Sequence, residues 1–172
     1  MSYGSSQWQG WVKDEEESLP LLEHAYKSGL NTWDTANVYS NGESERIVGN
    51  AIKKYKIPRE KLVILTKCYF GVDESGNQPR ISEVSTNNGP MVNQVGLSRK
   101  NILEAVDKSV ARLGTYIDVL QIHRLDRETP KEEIMKALND VIESGKVRYI
   151  GASSMATWEF QMMQNVAEKH GW

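Results

Sequence analysis

A parallel α/β fold is what this sequence predicts, and three observations carry that reading. Short apolar runs rich in β-branched residues recur along the chain, segments of helical periodicity lie between them, and the two kinds alternate. The apolar runs are Asn31 to Ala36, Leu62 to Cys68, Tyr116 to His123 and Val147 to Ala152. Stretches such as Leu62-Val63-Ile64-Leu65 do not alternate polar with apolar, so these strands are expected to be covered on both faces, as in a parallel sheet.

The helices are read from spacing and from their ends. From Ser98 to Leu113, Ile102, Val106, Val110 and Leu113 share one face; Leu97 and Ile102 can staple the turn around Ser98 as N-cap, and Gly114 stops it. A second helix opens at Thr129-Pro130, with Glu132 and Glu133 favourable in its first turn, Ile134, Leu138, Val141 and Ile142 inward, and Gly145 beyond its end. Glu15 to Ser28 forms another, with Glu15-Glu16-Glu17 as an acidic first turn and Gly29 as its stop. Ser44 to Lys56 carries Ile47, Val48, Ala51, Ile52 and Tyr55 before Pro58, and Thr157 to Lys169 begins the last. Met155, Met162 and Met163 are expected in the core. Repeated βαβ crossovers result, which are right-handed by rule.

Composition narrows the function. The chain has 172 residues, 39% of them hydrophobic and 26% charged, with a formal net charge of -2. No broad basic face favours nucleic acid or an anionic membrane, and no apolar run approaches the ~20 residues of a membrane span. One cysteine, Cys68, excludes an intramolecular disulfide framework, and with three histidines no Cys/His spacing reads as a zinc site. No secretory leader is evident at Met1-Ser2-Tyr3-Gly4, so a cytoplasmic protein is expected. The connection from Tyr69 to Ser98 is long and rich in Gly, Asn, Ser and Pro; such loops are usually functional lids or disordered. It follows a strand and so lies at the C-terminal side of the sheet, where α/β folds bind ligands.

That same side gathers Asp34, Lys67 and His123 at three strand ends, with Tyr39 in the first loop after a strand. Each has a plainer reading alone, as a cap, a solvated ammonium, a satisfied core imidazole or a packing ring. Together they suit reduction of a carbonyl by a nicotinamide hydride. The developing alkoxide needs a proton, and a phenol of ordinary pKa about 10 is a slow donor unless an ammonium favours its anion. A carboxylate keeps the ammonium charged and placed, while an imidazole polarises the carbonyl.

The segments that hold these residues resemble successive signatures of the aldo-keto reductase superfamily. They are Asp34-Thr35-Ala36 through Tyr39 with Gly42-Glu43-Ser44-Glu45, then Leu65-Thr66-Lys67, then Asp118 to Arg124, then Arg148 to Ser154. The fungal branch that includes aryl-alcohol dehydrogenases is the nearest in look, with potassium-channel β-subunits more distant. The resemblance implies a partial (β/α)8 TIM barrel, with about four parallel strands and their helices, and without the first strand and the last three. Residues 1–172 are thus expected to be one incomplete reductase domain. It implies a catalytic tetrad of Asp34, Tyr39, Lys67 and His123, with Tyr39 as general acid. It also implies NADPH (NADP+) as cofactor, contacted by Asp34 and by Ser153, with Ser154 where many relatives carry Asn.

The implied partners are a small-molecule aldehyde, ketone or alcohol, not nucleic acid or membrane, with self-association through exposed sheet edges. A noncatalytic short form or a cofactor-sensing regulatory module stands as the competing reading. A flavodoxin-like open sheet would need a phosphate loop after its first strand, which Ala36-Asn37-Val38-Tyr39-Ser40 does not resemble. Trp8 and Trp11 are candidates to line a substrate pocket or simply to pack, and Cys68 is expected to point away from Lys67 as a buried inert thiol. Neither His24 nor His170 has neighbours that suggest a site.

Overall fold

The computed structural model describes residues 1–75 and 78–172. The helices are α1 (Glu15–Lys27), α2 (Glu43–Lys54), α3 (Arg99–Leu113), α4 (Lys131–Glu143) and α5 (Thr157–His170). They alternate with β1 (Thr32–Asp34), β2 (Val63–Cys68), β3 (Ile117–Ile122) and β4 (Val147–Ala152). All strand pairs are parallel, in the order β1-β2-β3-β4. Each strand therefore pairs with its sequence neighbour. This is the order of a barrel arc; a doubly wound sheet reverses direction partway.

Sequence signals explain the element ends. Ser98 Oγ accepts from the Asn101 amide, Leu97 and Ile102 are both fully buried, and Gly114 closes α3 at φ 68°. Differences from the expected bounds have local causes. α2 stops at Lys54 because Lys56 adopts φ 51°, outside the helical region. α4 starts at Lys131, with Pro130 as its N-cap, because the Thr129 hydroxyl is engaged by Asp126 and does not cap the helix. β1 is shorter than Asn31 to Ala36, since beyond Asp34 the chain turns toward Tyr39.

Side-chain alternation splits the sheet into two faces. Trp33, Ile64, Thr66, Leu120 and Ile122 are buried, and the aliphatic ones join Ile47, Ile102, Ile134 and Leu138 of the helices in one core. Met163 belongs to this core; Met162 does not and is exposed, because one step along a helix turns the side chain by about 100°. On the other face, register aligns Asp34 with Leu65, Leu65 with Val119, and Val119 with Tyr149. The next row toward the C-terminal rim is Lys67, Gln121 and Gly151.

The connection between β2 and α3 has its own small core. Val84, Met91 and Val95 pack with Ala36 and Val38 against Tyr39, Tyr69 and Phe70. Backbone bonds from Gly71 N to Val84 O (2.9 Å) and from Gly96 N to Tyr69 O (2.8 Å) close it into a compact loop. Asn41 ties the loop down, its side chain accepting from Asp73 N (2.7 Å) and donating to Asp73 O (2.6 Å). The loop is thus ordered, its apolar cluster seated on the turn that carries Tyr39.

Candidate active site

Asp34, Tyr39, Lys67 and His123 come together at the C-terminal rim. Lys67 is nearly buried, and its Nζ lies 2.5 Å from Asp34 Oδ2 and 2.9 Å from the Thr35 carbonyl. The same ammonium is 5.1 Å from the centroid of the Tyr39 ring. Tyr39 meets His123 edge to face, with centroids 5.6 Å apart and an interplanar angle of 84°. The His123 amide donates to Cys68 O (2.9 Å), which fixes the end of β3 beside the end of β2.

The turn bearing Tyr39 is strained. Ser40 and Asn41, at φ 47° and 53°, and Gly42, at φ 90°, occupy the left-handed region in succession. Two non-glycine residues there cost free energy that the surroundings must offset. One source is Thr35 Oγ1 on Ser44 Oγ (2.9 Å); another is Asn41 on the loop above. Gly4 presses against the turn so closely that a Cβ there would fall 2.0 Å from Ser40 Oγ. Only glycine fits at that position.

Electrostatics set the protonation of the imidazole. Burial pushes His123 down to about 4, with the Lys67 and Arg124 charges acting in the same direction and Asp34 opposing them. His123 is therefore neutral near pH 7, and its Nδ1 is buried without a hydrogen-bond partner among the described residues. A neutral imidazole can donate to a carbonyl oxygen without carrying a second positive charge beside Lys67. Cys68 points toward the core, and burial pushes its thiol up to about 12, with the Glu45 charge adding to the effect; it is inert.

Three neighbours were not singled out from the sequence. Gln121 Nε2 donates to Asp34 Oδ1 (3.0 Å), so the carboxylate is held at both oxygens. Its signal was its place two residues before His123, on the same side of a strand. Phe70 packs edge-on against His123 at 5.1 Å. Glu45 is fully buried, accepting from Thr66 Oγ1 (2.5 Å) and paired with Arg112 (2.7 Å). Trp8 reaches the rim, 6.4 Å from Tyr39, whereas Trp11 is exposed. Neither His24 nor His170 joins the site: His24 lies in the last turn of α1 and His170 stacks on Trp172.

Ser153 and Ser154 lie just past β4, their hydroxyls 3.3 Å apart. The Ser153 amide donates to Ile122 O (2.9 Å), on the residue before His123. The two hydroxyls share a hydrogen bond with each other at the C-terminal end of β4. Among the described residues no cluster of three His, Cys, Asp or Glu could hold a metal ion, and no helix is long and apolar enough to cross a membrane.

Fold and rim together define a parallel α/β protein with a polar, partly buried Asp–Lys–Tyr–His cluster at the C-terminal strand ends. Residues 1–172 match the model of the Aldo/keto reductase family, and the chain belongs to that family. It is 70% identical, over its whole length, to half of versiconal hemiacetal acetate reductase of Aspergillus parasiticus. It is 53% identical to half (51%) of a Saccharomyces cerevisiae protein that carries an aryl-alcohol dehydrogenase name, and 51% identical to 49% of an aldo-keto reductase of Alternaria alternata. Among solved structures it resembles a thermostable aldo-keto reductase bound to the inhibitor epalrestat, with TM-score 0.68 and 28% identity over 90% of this chain and 46% of that one. The chain thus spans about half the length of the relatives it matches.

Proposed function

We propose that this sequence supplies the proton-donating half of a cytoplasmic NADP(H)-dependent carbonyl reductase, which reduces an aldehyde or ketone to the alcohol and runs in reverse. The observation that carries the proposal is the Lys67 ammonium held between the Asp34 carboxylate and the Tyr39 ring. Bound reduced nicotinamide would supply the hydride. Tyr39 gives its hydroxyl proton to the carbonyl oxygen, and the negative charge left on the phenol is stabilised by Lys67. Asp34, fixed by Lys67 and Gln121, keeps that ammonium in place. Neutral His123 donates to the same oxygen and orients it.

The cofactor's nicotinamide amide fits the Ser153 and Ser154 hydroxyls, while Asp34, half exposed, faces the same rim. The 70% identity to versiconal hemiacetal acetate reductase makes an aldehyde that cyclises to a hemiacetal the first substrate to try. The test is Tyr39→Phe in a chain long enough to complete the barrel. The expected result is a loss of turnover of ~10²–10⁴-fold with cofactor affinity unchanged. Turnover within threefold of the parent would remove Tyr39 from the role.

A further inference from the structure

Asp126 stands in the connection between β3 and α4, just past His123, and its carboxylate joins that connection to a distant stretch of chain. Oδ2 accepts from the Leu97 amide and from the Thr129 hydroxyl, both at 2.8 Å. Oδ1 accepts from the amides of Glu128 (3.0 Å) and Thr129 (3.4 Å). Burial alone would raise this carboxyl, but the Leu97, Thr129 and Glu128 donors outweigh it and hold the group below the ordinary carboxylate value.

The stretch that Asp126 grips is the base of the long loop. Gly96 N donates to Tyr69 O (2.8 Å), and Gly96 O accepts from the buried Asn101 side chain (2.8 Å). Gly96 adopts φ 97°, and a Cβ there would fall 2.6 Å from Asp126 Oδ2. Only glycine admits so close an approach. At the other end of the loop Tyr69 meets Phe70 edge to face, with centroids 5.1 Å apart, and Phe70 meets His123 in the same way at 5.1 Å and 79°. The contacts close a ring: from His123 through Phe70, Tyr69 and Gly96 to Asp126, and back along the backbone to His123.

We propose that Asp126 is a positioning residue for the reaction: by pinning the base of the long loop to the segment after β3, it holds Phe70 over His123 and keeps water from that ring. This rests on the reading of His123 as the neutral group that orients the carbonyl oxygen.

The titration of His123 tests the proposal without turnover, so its outcome is separate from that of Tyr39→Phe. Deuterium exchange at the imidazole carbon between the two nitrogens, followed across pH by mass spectrometry, reads each histidine, with His24 and His170 as internal references. The parent value for His123 is about 4. The groups that face it are Lys67 from β2, Asp34 from β1, Arg124 beside it and the Tyr39 phenol. Asp126→Asn leaves a carboxamide, whose single oxygen can serve only one of the two pairs of donors. The His123 value is expected to rise by about one unit or more as the ring gains water. The sign is diagnostic, because removal of the carboxylate's field alone would lower it. Phe70→Ala is expected to give the same rise, and the double variant no more than either single one. A value that stays or falls in a folded Asp126→Asn chain, or a double variant whose rise is the sum of the two, would overturn the proposal. Should Asp126→Asn fail to fold, Thr129→Val removes one donor from Oδ2 and decides instead: a smaller rise is expected, and no rise would overturn the proposal.

Discussion

Lys67 Nζ lies 2.5 Å from Asp34 Oδ2, with Lys67 almost wholly enclosed and half of the Asp34 side chain open to solvent. The pair is therefore asymmetric: the ammonium depends on the carboxylate for compensation more than the reverse. If both serve Tyr39 through this contact, they act as one unit, and residues acting as a unit are grossly non-additive. In a chain that completes the barrel, Lys67→Met alone and Lys67→Met with Asp34→Asn are expected to reduce turnover to the same extent. Rates that multiply would show separate roles.

The buried pair of Glu45 and Arg112 ties α2 to α3 at 2.7 Å, and Glu74 of the long loop adds a second carboxylate at 3.1 Å. Arg112→Met would strand the Glu45 carboxylate at zero exposure with only Thr66 as donor. Breaking a buried pair on one side costs about 3–5 kcal/mol, and chemical denaturation should show a loss of that size. A much smaller loss would mean that Glu45 takes up a proton or reaches water.

Why the rim was legible in the sequence and this pair was not follows from distance along the chain. Asp34, Lys67 and His123 sit where apolar runs end, and a strand's end is a local feature. Glu45, in a short run of polar residues, reads as a solvated helix start; its burial is decided by Arg112, 67 residues later. The small core under the long loop was hidden for the same reason. Val84, Met91 and Val95 follow no period, and they become a cluster only once Ala36, Val38 and Tyr39 are beneath them. Gly4 is the extreme case, since nothing local shows that it must admit Ser40.

Acid sensitivity should trace to His123. Its folded-state pKa, about 4, is below the ordinary 6.5, so between those values the unfolded chain takes up a proton that the folded chain refuses. Stability from this residue is complete above pH 6.5, falls as pH drops toward 4, and levels off below. His123→Gln keeps a neutral hydrogen-bonding side chain and is expected to flatten the urea-midpoint profile across that window. An unchanged slope would place the acid sensitivity on other groups.

The sheet's uncovered face bears on how the 172-residue polypeptide behaves when prepared alone. Val63 is 39% exposed and Tyr149 70% exposed there, on either side of Leu65 and Val119, and β1 and β4 have free edges among the described residues. In a closed barrel such edges vanish and such side chains fill the interior. Left open, an apolar strip flanked by unpaired strand edges favours association with another copy. The polypeptide is expected to sediment above monomer mass, and Tyr149→Lys, which places a charge on edge strand β4, should lower that mass. NADPH binding is expected to be weak in the same sample. The cofactor contacts proposed for this chain are Asp34, Ser153 and Ser154, and holding a hydride donor in reacting geometry needs a fuller shell of contacts. Sedimentation velocity beside an NADPH fluorescence titration checks both expectations. A monomer that binds NADPH at micromolar concentration would show that four strands suffice to hold the cofactor, and would move the search for its contacts to the open face between Asp34 and Tyr149.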